Sequence, residues 1–161
     1  MNNDPEINRT ADGKYLLSSQ LELSYPLQQV FEFFSRPENL SKLTPPSMGF
    51  QMTTPQPVEM ASGLELTYRI RPLGFPMRWV SLIQTWNPPH EFSDIQLKGP
   101  FLSWEHSHRF SSTESGTRIE DKVLYRVPGG ALAEKWFVRK QLLDQFRYRT
   151  ERMKELFPAI T

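Results

Sequence analysis

Four side chains whose types and order can carry chemistry sit on neighbouring stretches of this sequence. His106 and His108 alternate within Trp104-Glu105-His106-Ser107-His108-Arg109-Phe110, with Asp94 upstream and Asp121 downstream. Alternate residues of a strand share a face, so Trp104, His106, His108 and Phe110 point one way, and the two aromatic ends make that way inward. The same rule turns Asp94 inward between Phe92 and Gln96, and Asp121 between Ile119 and Val123. Three chemistries fit such a set. Buried polar groups must pair, so it can be a network that holds structure or orients a ligand. An imidazole titrates near neutrality and a carboxylate can set its tautomer, so it can move a proton. His-x-His aims both rings alike and two aspartates would complete a four-ligand metal set. That spacing is common by chance, and the reading assigns no metal and no cofactor.

The turns fix the expected registers. A tight turn centred on Glu114-Ser115 places His108 opposite Asp121. A symmetric closure around Gly99 to Leu102 places Asp94 near His106. Cross-strand neighbours on one face have Cβ atoms about 4.5–5.5 Å apart, so two His–Asp pairs are expected on three adjacent strands. A slip of one residue would send either pair to opposite faces.

The elements that must position these groups follow from hydrophobic period. Tyr15, Leu17, Ser19, Leu21 and Leu23 make a first strand. Pro26 then opens a helix with Leu27, Val30, Phe31 and Phe34 on one stripe, and a second short helix through Leu40 and Leu43 is stopped by Pro45-Pro46. Six alternating segments follow, through Phe50, Leu64 to Ile70, Trp79 to Ile83, Phe92 to Gln96, Trp104 to Phe110 and Ile119 to Val127. Their separators are rich in Gly, Pro, Asn and Ser, as in sequential antiparallel neighbours. Past Pro128-Gly129-Gly130 one helix is expected from about Ala131 to about Leu156, about 40 Å long. Leu132, Trp136, Leu143, Phe146, Met153 and Phe157 form its apolar side. Glu134, Arg139 and Arg149 fall on a charged face read as solvated. Residues 1–13 read as a flexible arm and 14–157 as a single domain. The expected class is α+β, a seven-stranded curved antiparallel sheet around a long C-terminal helix, with a gap between them that the helix cannot fill.

Composition narrows the functions. The chain has 161 residues, enough for one domain, and 19 Lys+Arg against 18 Asp+Glu leave a net charge of +1. That balance gives no general electrostatic case for nucleic acid or an anionic membrane. Absence of cysteine removes disulfides, Cys-ligated zinc, iron–sulfur clusters and thiolate nucleophiles. No apolar run spans a bilayer, and MNNDPEINRTADG has no signal-peptide pattern, so a cytoplasmic protein without integral membrane association is expected. Gly-x-Ser-x-Gly, dinucleotide and Walker loops are absent. His90, after Pro88-Pro89, is expected in a solvent-facing turn.

The order of elements from about Tyr15 to Leu156 resembles the helix-grip fold of the START-like (SRPBCC) superfamily, which includes polyketide cyclase/dehydrase and lipid-transport proteins. The resemblance sharpens at Phe92-Ser93-Asp94, Gly99-Pro100-Phe101, Trp104 to Phe110, and Gly116-Thr117 through Asp121 to Tyr125-Arg126-Val127-Pro128, and looks like the bacterial ligand-binding branch. It implies an internal cavity for a small, largely hydrophobic ligand, lipid- or polyketide-like. Parity puts the turns at 72–76 and 98–103 and the junction at 127–131 at one end, where Leu73, Phe75 and Phe101 would rim a mouth. Trp79, Ile83, Phe92, Trp104 and Tyr125 are the expected walls, with Phe137 or Leu143 opposite. Asp94, Gln96, His106, His108 and Asp121 would orient the ligand. The rival enzyme reading, by resemblance to aromatase/cyclase members, makes His106 or His108 the proton carrier, with Asp94 or Asp121 orienting it. A third reading makes the apolar rim a protein-interaction surface.

Overall fold

The computed structural model describes residues 3–159. Alternation of buried and outward residues lays down eight strands: β1 (Asn3–Arg9), β2 (Tyr15–Leu23), β3 (Gln51–Met52), β4 (Glu65–Ile70), β5 (Met77–Asn87), β6 (Glu91–Lys98), β7 (Ser103–Thr113) and β8 (Gly116–Arg126). They form one antiparallel sheet in the order β1-β2-β8-β7-β6-β5-β4-β3. Between β2 and β3 lie α1 (Leu27–Phe34) and two 3₁₀ turns, Pro37–Leu43 and Pro46–Met48. Val30 and Phe31 of α1 are buried, and Phe31 packs on Trp86, Phe92 and Phe110. The C-terminal rod is α2 (Gly130–Ala133), a π-helical turn (Glu134–Val138) and α3 (Arg139–Leu156).

Two expectations need correction. The sheet has eight strands, not seven, because the first residues of the supposed arm pair with β2 from Arg9↔Tyr15 to Asn3↔Gln20. This stretch is almost wholly polar and sits at the sheet edge. Its one aliphatic residue, Ile7, is buried, and the Ile7 carbonyl accepts a hydrogen bond from Arg139 Nη1 at 3.0 Å. Composition alone does not reveal such a strand, whose stability comes from ladder bonds to β2.

The second correction concerns the rod. Leu132 and Trp136 do not face the sheet; they are 71% and 69% exposed. The inward series is instead Glu134, Val138, Leu142, Phe146, Arg149 and Met153, with Glu134 only 2% exposed. The π turn takes an extra residue into one turn, which shifts the inward face by about one position relative to an ideal helix. Glu134 therefore leaves the solvated face. Tyr125 donates its hydroxyl to Glu134 Oε1 at 3.0 Å and Arg139 Nη2 lies 3.1 Å from Oε2.

Candidate functional site

The registers place β6, β7 and β8 as the turns suggest. Asp94 pairs with His106, and His108 with Asp121. Both histidines and Asp121 are buried, and Asp94 is half-buried. The side chains do not form two separate pairs, however. Asp121 takes both imidazoles: its Oδ1 lies 3.0 Å from His106 Nε2 and 2.6 Å from His108 Nδ1. Diagonal neighbours on one face of a sheet are within reach of long side chains, and His106 uses that reach because its direct neighbour on β8 is Val123. Asp94 is left to Ser81, whose Oγ donates to Asp94 Oδ1 at 3.2 Å and accepts from Trp79 Nε1 at 3.0 Å. Its other oxygen is 3.8 Å from His108 Nε2, beyond hydrogen-bond distance.

Arg149, on the inward face of α3, completes the cluster. Its Nε lies 3.5 Å from Asp121 Oδ2 and its Nη2 3.4 Å from His108 Nδ1. The guanidinium is clasped by the rings of Phe34 and Phe146. His108 is stacked on Phe92 with ring centroids 4.1 Å apart, which fixes its plane. Arg149 was read as solvated, yet it is three residues after Phe146 and four before Met153. That spacing was the available signal.

Burial would raise the Asp121 carboxyl. The charges of Arg149 and His108 and the hydrogen bonds from both rings outweigh burial and hold it well below the usual carboxylate value. The His106 imidazole is pushed down to about 4, first by burial and then by the neighbouring His108. At neutral pH His106 is therefore uncharged. A carboxylate only accepts, so the ring hydrogen sits on Nε2 and Nδ1 keeps its lone pair.

This shift has a consequence for stability. In the unfolded chain His106 takes a proton near its ordinary 6.5, and in the folded protein only near 4. Stability from this group is full above pH 6.5 and falls as the pH drops through that window, by about 3 kcal/mol at its lower end. His106→Gln keeps an N–H for Asp121 and is expected to flatten this part of the curve in urea melts; an unchanged slope would assign it to another group.

The cluster forms part of the wall of a cavity of about 410 Å³ between the sheet and the rod. Trp79, Ile83, Phe92, Asp94, Trp104, His106 and His108 line it, as do Leu73, Phe75 and Phe101. Ser81, Tyr68, Phe34, Leu142, Phe146 and Arg149 line it as well, and among these Tyr68 and Ser81 belong to alternating sets in the sequence. Burial and the Asp94 charge push the Tyr68 hydroxyl up, so it stays protonated beside Ser81.

Four expected ligand contacts lie elsewhere. Asp121 stands behind the two imidazoles, hydrogen-bonded to both, and does not line the cavity. Gln96 turns to its own loop, donating to Phe101 O at 2.8 Å and accepting from Phe101 N–H at 3.1 Å. Tyr125 is fully buried against Glu134, and Leu143 packs into the core beside Leu142 and Phe146. Phe137, the alternative far wall, is 63% exposed, because the π turn carries it outward and leaves Val138 facing the cavity. His90 is exposed in a turn. Asp94, His106 and His108 each offer one ligand atom, all within 4.8 Å of one another, so a metal donor set is geometrically present. Asp121 and Arg149 already give the two rings protein partners.

Comparison with known proteins agrees with this architecture. Protein Ms6760 from Mycobacterium smegmatis is 17% identical, with 97% of each chain covered and a TM-score of 0.68. A protein from Rhodobacter sphaeroides is 15% identical over 98% of this chain and 99% of its own, also at 0.68. A START superfamily protein from M. smegmatis is 12% identical over 89% and 99%, with a TM-score of 0.66. These likenesses establish the START-like helix-grip fold. No curated protein matches the sequence. No helix among the described residues is long and apolar enough to cross a membrane. The family model described as polyketide cyclase/dehydrase and lipid transport matches residues 23–154, most of the sequence, and the chain belongs to that family.

Proposed function

We propose that the protein encloses a small, largely hydrophobic molecule with one polar end, lipid- or polyketide-like, and binds it without chemical conversion. A single observation carries this reading: a cavity of about 410 Å³ has aromatic and aliphatic walls interrupted by the Asp94–His106–His108–Arg149 cluster. Its volume suits a small organic ligand, and a few convergent polar groups in an apolar pocket are how such ligands are oriented. His106 offers an acceptor at Nδ1, Asp94 accepts, and Arg149 donates, so a hydroxyl or carbonyl on the ligand finds a partner. Family membership and fold support a ligand-binding role in general. The cytoplasmic setting expected from the sequence belongs to the same proposal.

Native mass spectrometry of the protein purified from its own host tests the reading. A co-purified apolar molecule is the expected result. Val138→Trp, placed at the half-buried mouth side of the rod, is expected to abolish retention while circular dichroism stays unchanged. A ligand-free wild-type protein that also fails to take up an apolar fluorophore would overturn the proposal.

One observation favours a second reading. An uncharged imidazole oriented by a buried carboxylate is the arrangement of a general base, so His106 is the candidate for aromatase/cyclase-like chemistry. In that case His106→Gln retains the ligand but stops its conversion. Release of chemically unchanged ligand by the wild-type protein excludes catalysis.

A further inference from the structure

Large apolar side chains are exposed at one end of the molecule. Leu73 and Phe75 project from the β4–β5 connection, Leu102 from the β6–β7 turn, and Leu132, Trp136 and Phe137 from the start of the rod, each 63–71% exposed. The three segments border one cavity, since Leu73 and Phe75 line it, as do Pro72, Pro100, Pro128 and Val138 beside the others. Single exposed apolar residues are ordinary, but six around one opening are not.

Charge at this end departs from the balance of the whole chain. Segments 71–78, 97–103 and 126–140 hold Arg71, Arg78, Lys98, Arg126, Lys135, Arg139 and Lys140 against one acidic residue, Glu134. Glu134 is buried and paired with Arg139, and Lys140 is ion-paired with Asp144, so the outward positive charge of this end rests on Arg71, Arg78, Lys98, Arg126 and Lys135. In the adjoining β1–β2 turn, Asp12 is ion-paired with Lys14 at 3.4 Å. A chain of net charge +1 thus concentrates its positive charge where it is most apolar.

The geometry points to a membrane-docking face: the mouth of the cavity seats on the surface of an anionic lipid bilayer, with the six apolar side chains entering the interface and the basic residues meeting lipid phosphates. Apolar insertion combined with positive charge is the general physics of peripheral lipid binding, and each Lys or Arg near an anionic surface is worth a factor of about five in partitioning. A protein partner fits less well, because interface cores are depleted in lysine and these apolar groups ring a hole instead of filling a patch. Such docking goes beyond ligand enclosure and does not depend on what the cavity holds.

Flotation of the full chain with phosphatidylcholine vesicles, with and without phosphatidylglycerol, tests this directly. Binding to the anionic vesicles alone, weakened by high salt, is the expected result. Leu73→Ser with Phe75→Ser, and separately Lys98→Glu with Lys135→Glu, are expected to lower partitioning at least about tenfold. All four positions are exposed, so the fold should survive, as circular dichroism will check. Brominated acyl chains should quench Trp136, and Trp136→Phe should remove most of that quenching while vesicle binding persists. Failure of the wild-type protein to float with anionic vesicles, or variants that float undiminished, would overturn the inference. So would an oligomer that the Leu73/Phe75 variant converts to monomer when no vesicle binding is seen, which would give the face to a second copy. Loss of cavity ligand with vesicle binding intact would instead strike only the ligand-binding reading.

Discussion

Asp121→Ala is expected to destabilise the protein by at least about 3 kcal/mol, because it removes the one carboxylate that serves three buried groups. His106 Nε2 at 3.0 Å, His108 Nδ1 at 2.6 Å and Arg149 Nε at 3.5 Å would all lose their acceptor at once. The Arg149 side chain is only 12% exposed, so water cannot readily replace what is lost. Asp121→Asn keeps the shape and one acceptor but removes the charge, and is expected to cost about half as much. Urea unfolding at neutral pH measures both. A cost below about 1 kcal/mol for the alanine variant would mean that the imidazoles and Arg149 find other partners. Asp121 does not line the cavity, so any weakening of ligand retention in the asparagine variant would come through the orientation of the two rings.

Glu134→Ala is the second large effect, at about 2 kcal/mol. Breaking a fully buried ion pair costs more than this, but Arg139 is one-third exposed and recovers some hydration. The Tyr125 hydroxyl does not recover in that way. Burial and the Glu134 charge push it up, it stays protonated, and without Glu134 it points at nothing. Glu134→Gln retains an acceptor for Tyr125 and separates the two contributions in the same unfolding measurement. Because Val138 sits at the other end of this π turn and lines the cavity, the alanine variant is also expected to hold ligand less well. Wild-type stability in Glu134→Ala would show that the buried carboxylate contributes nothing.

Much of this was legible before any coordinates. Strand alternation put His106, His108, Asp94 and Asp121 on the inner face, and the turns at Gly99 and Glu114-Ser115 gave both registers as observed. What alternation cannot give is which of two reachable neighbours a long side chain chooses. Val123 offers His106 nothing polar, and so the ring crosses diagonally to Asp121. The rod was harder to read, because a single π turn moves every residue N-terminal to it. Leu132 and Trp136 therefore matched an apolar stripe that they do not occupy, and Glu134 a charged one; Arg149 lies beyond the turn, and its steps from Phe146 and to Met153 already marked it as inward. Ile7 was hidden for another reason: the edge strand buries only Pro5 and Ile7, and two alternate positions, one of them a proline, are too short a period to detect.

The sheet order carries a further consequence for the birth of the molecule. β2 finds its long-range partner only in β8, from Tyr15↔Tyr125 to Leu23↔Thr117. A chain emerging from the ribosome must hold the β1–β2 hairpin unaccompanied until β8 has been synthesised, and α3 follows later still. Closing such distant pairings is slow. Refolding kinetics should therefore be governed by the meeting of β2 with β8, with the meander between them assembled early and waiting.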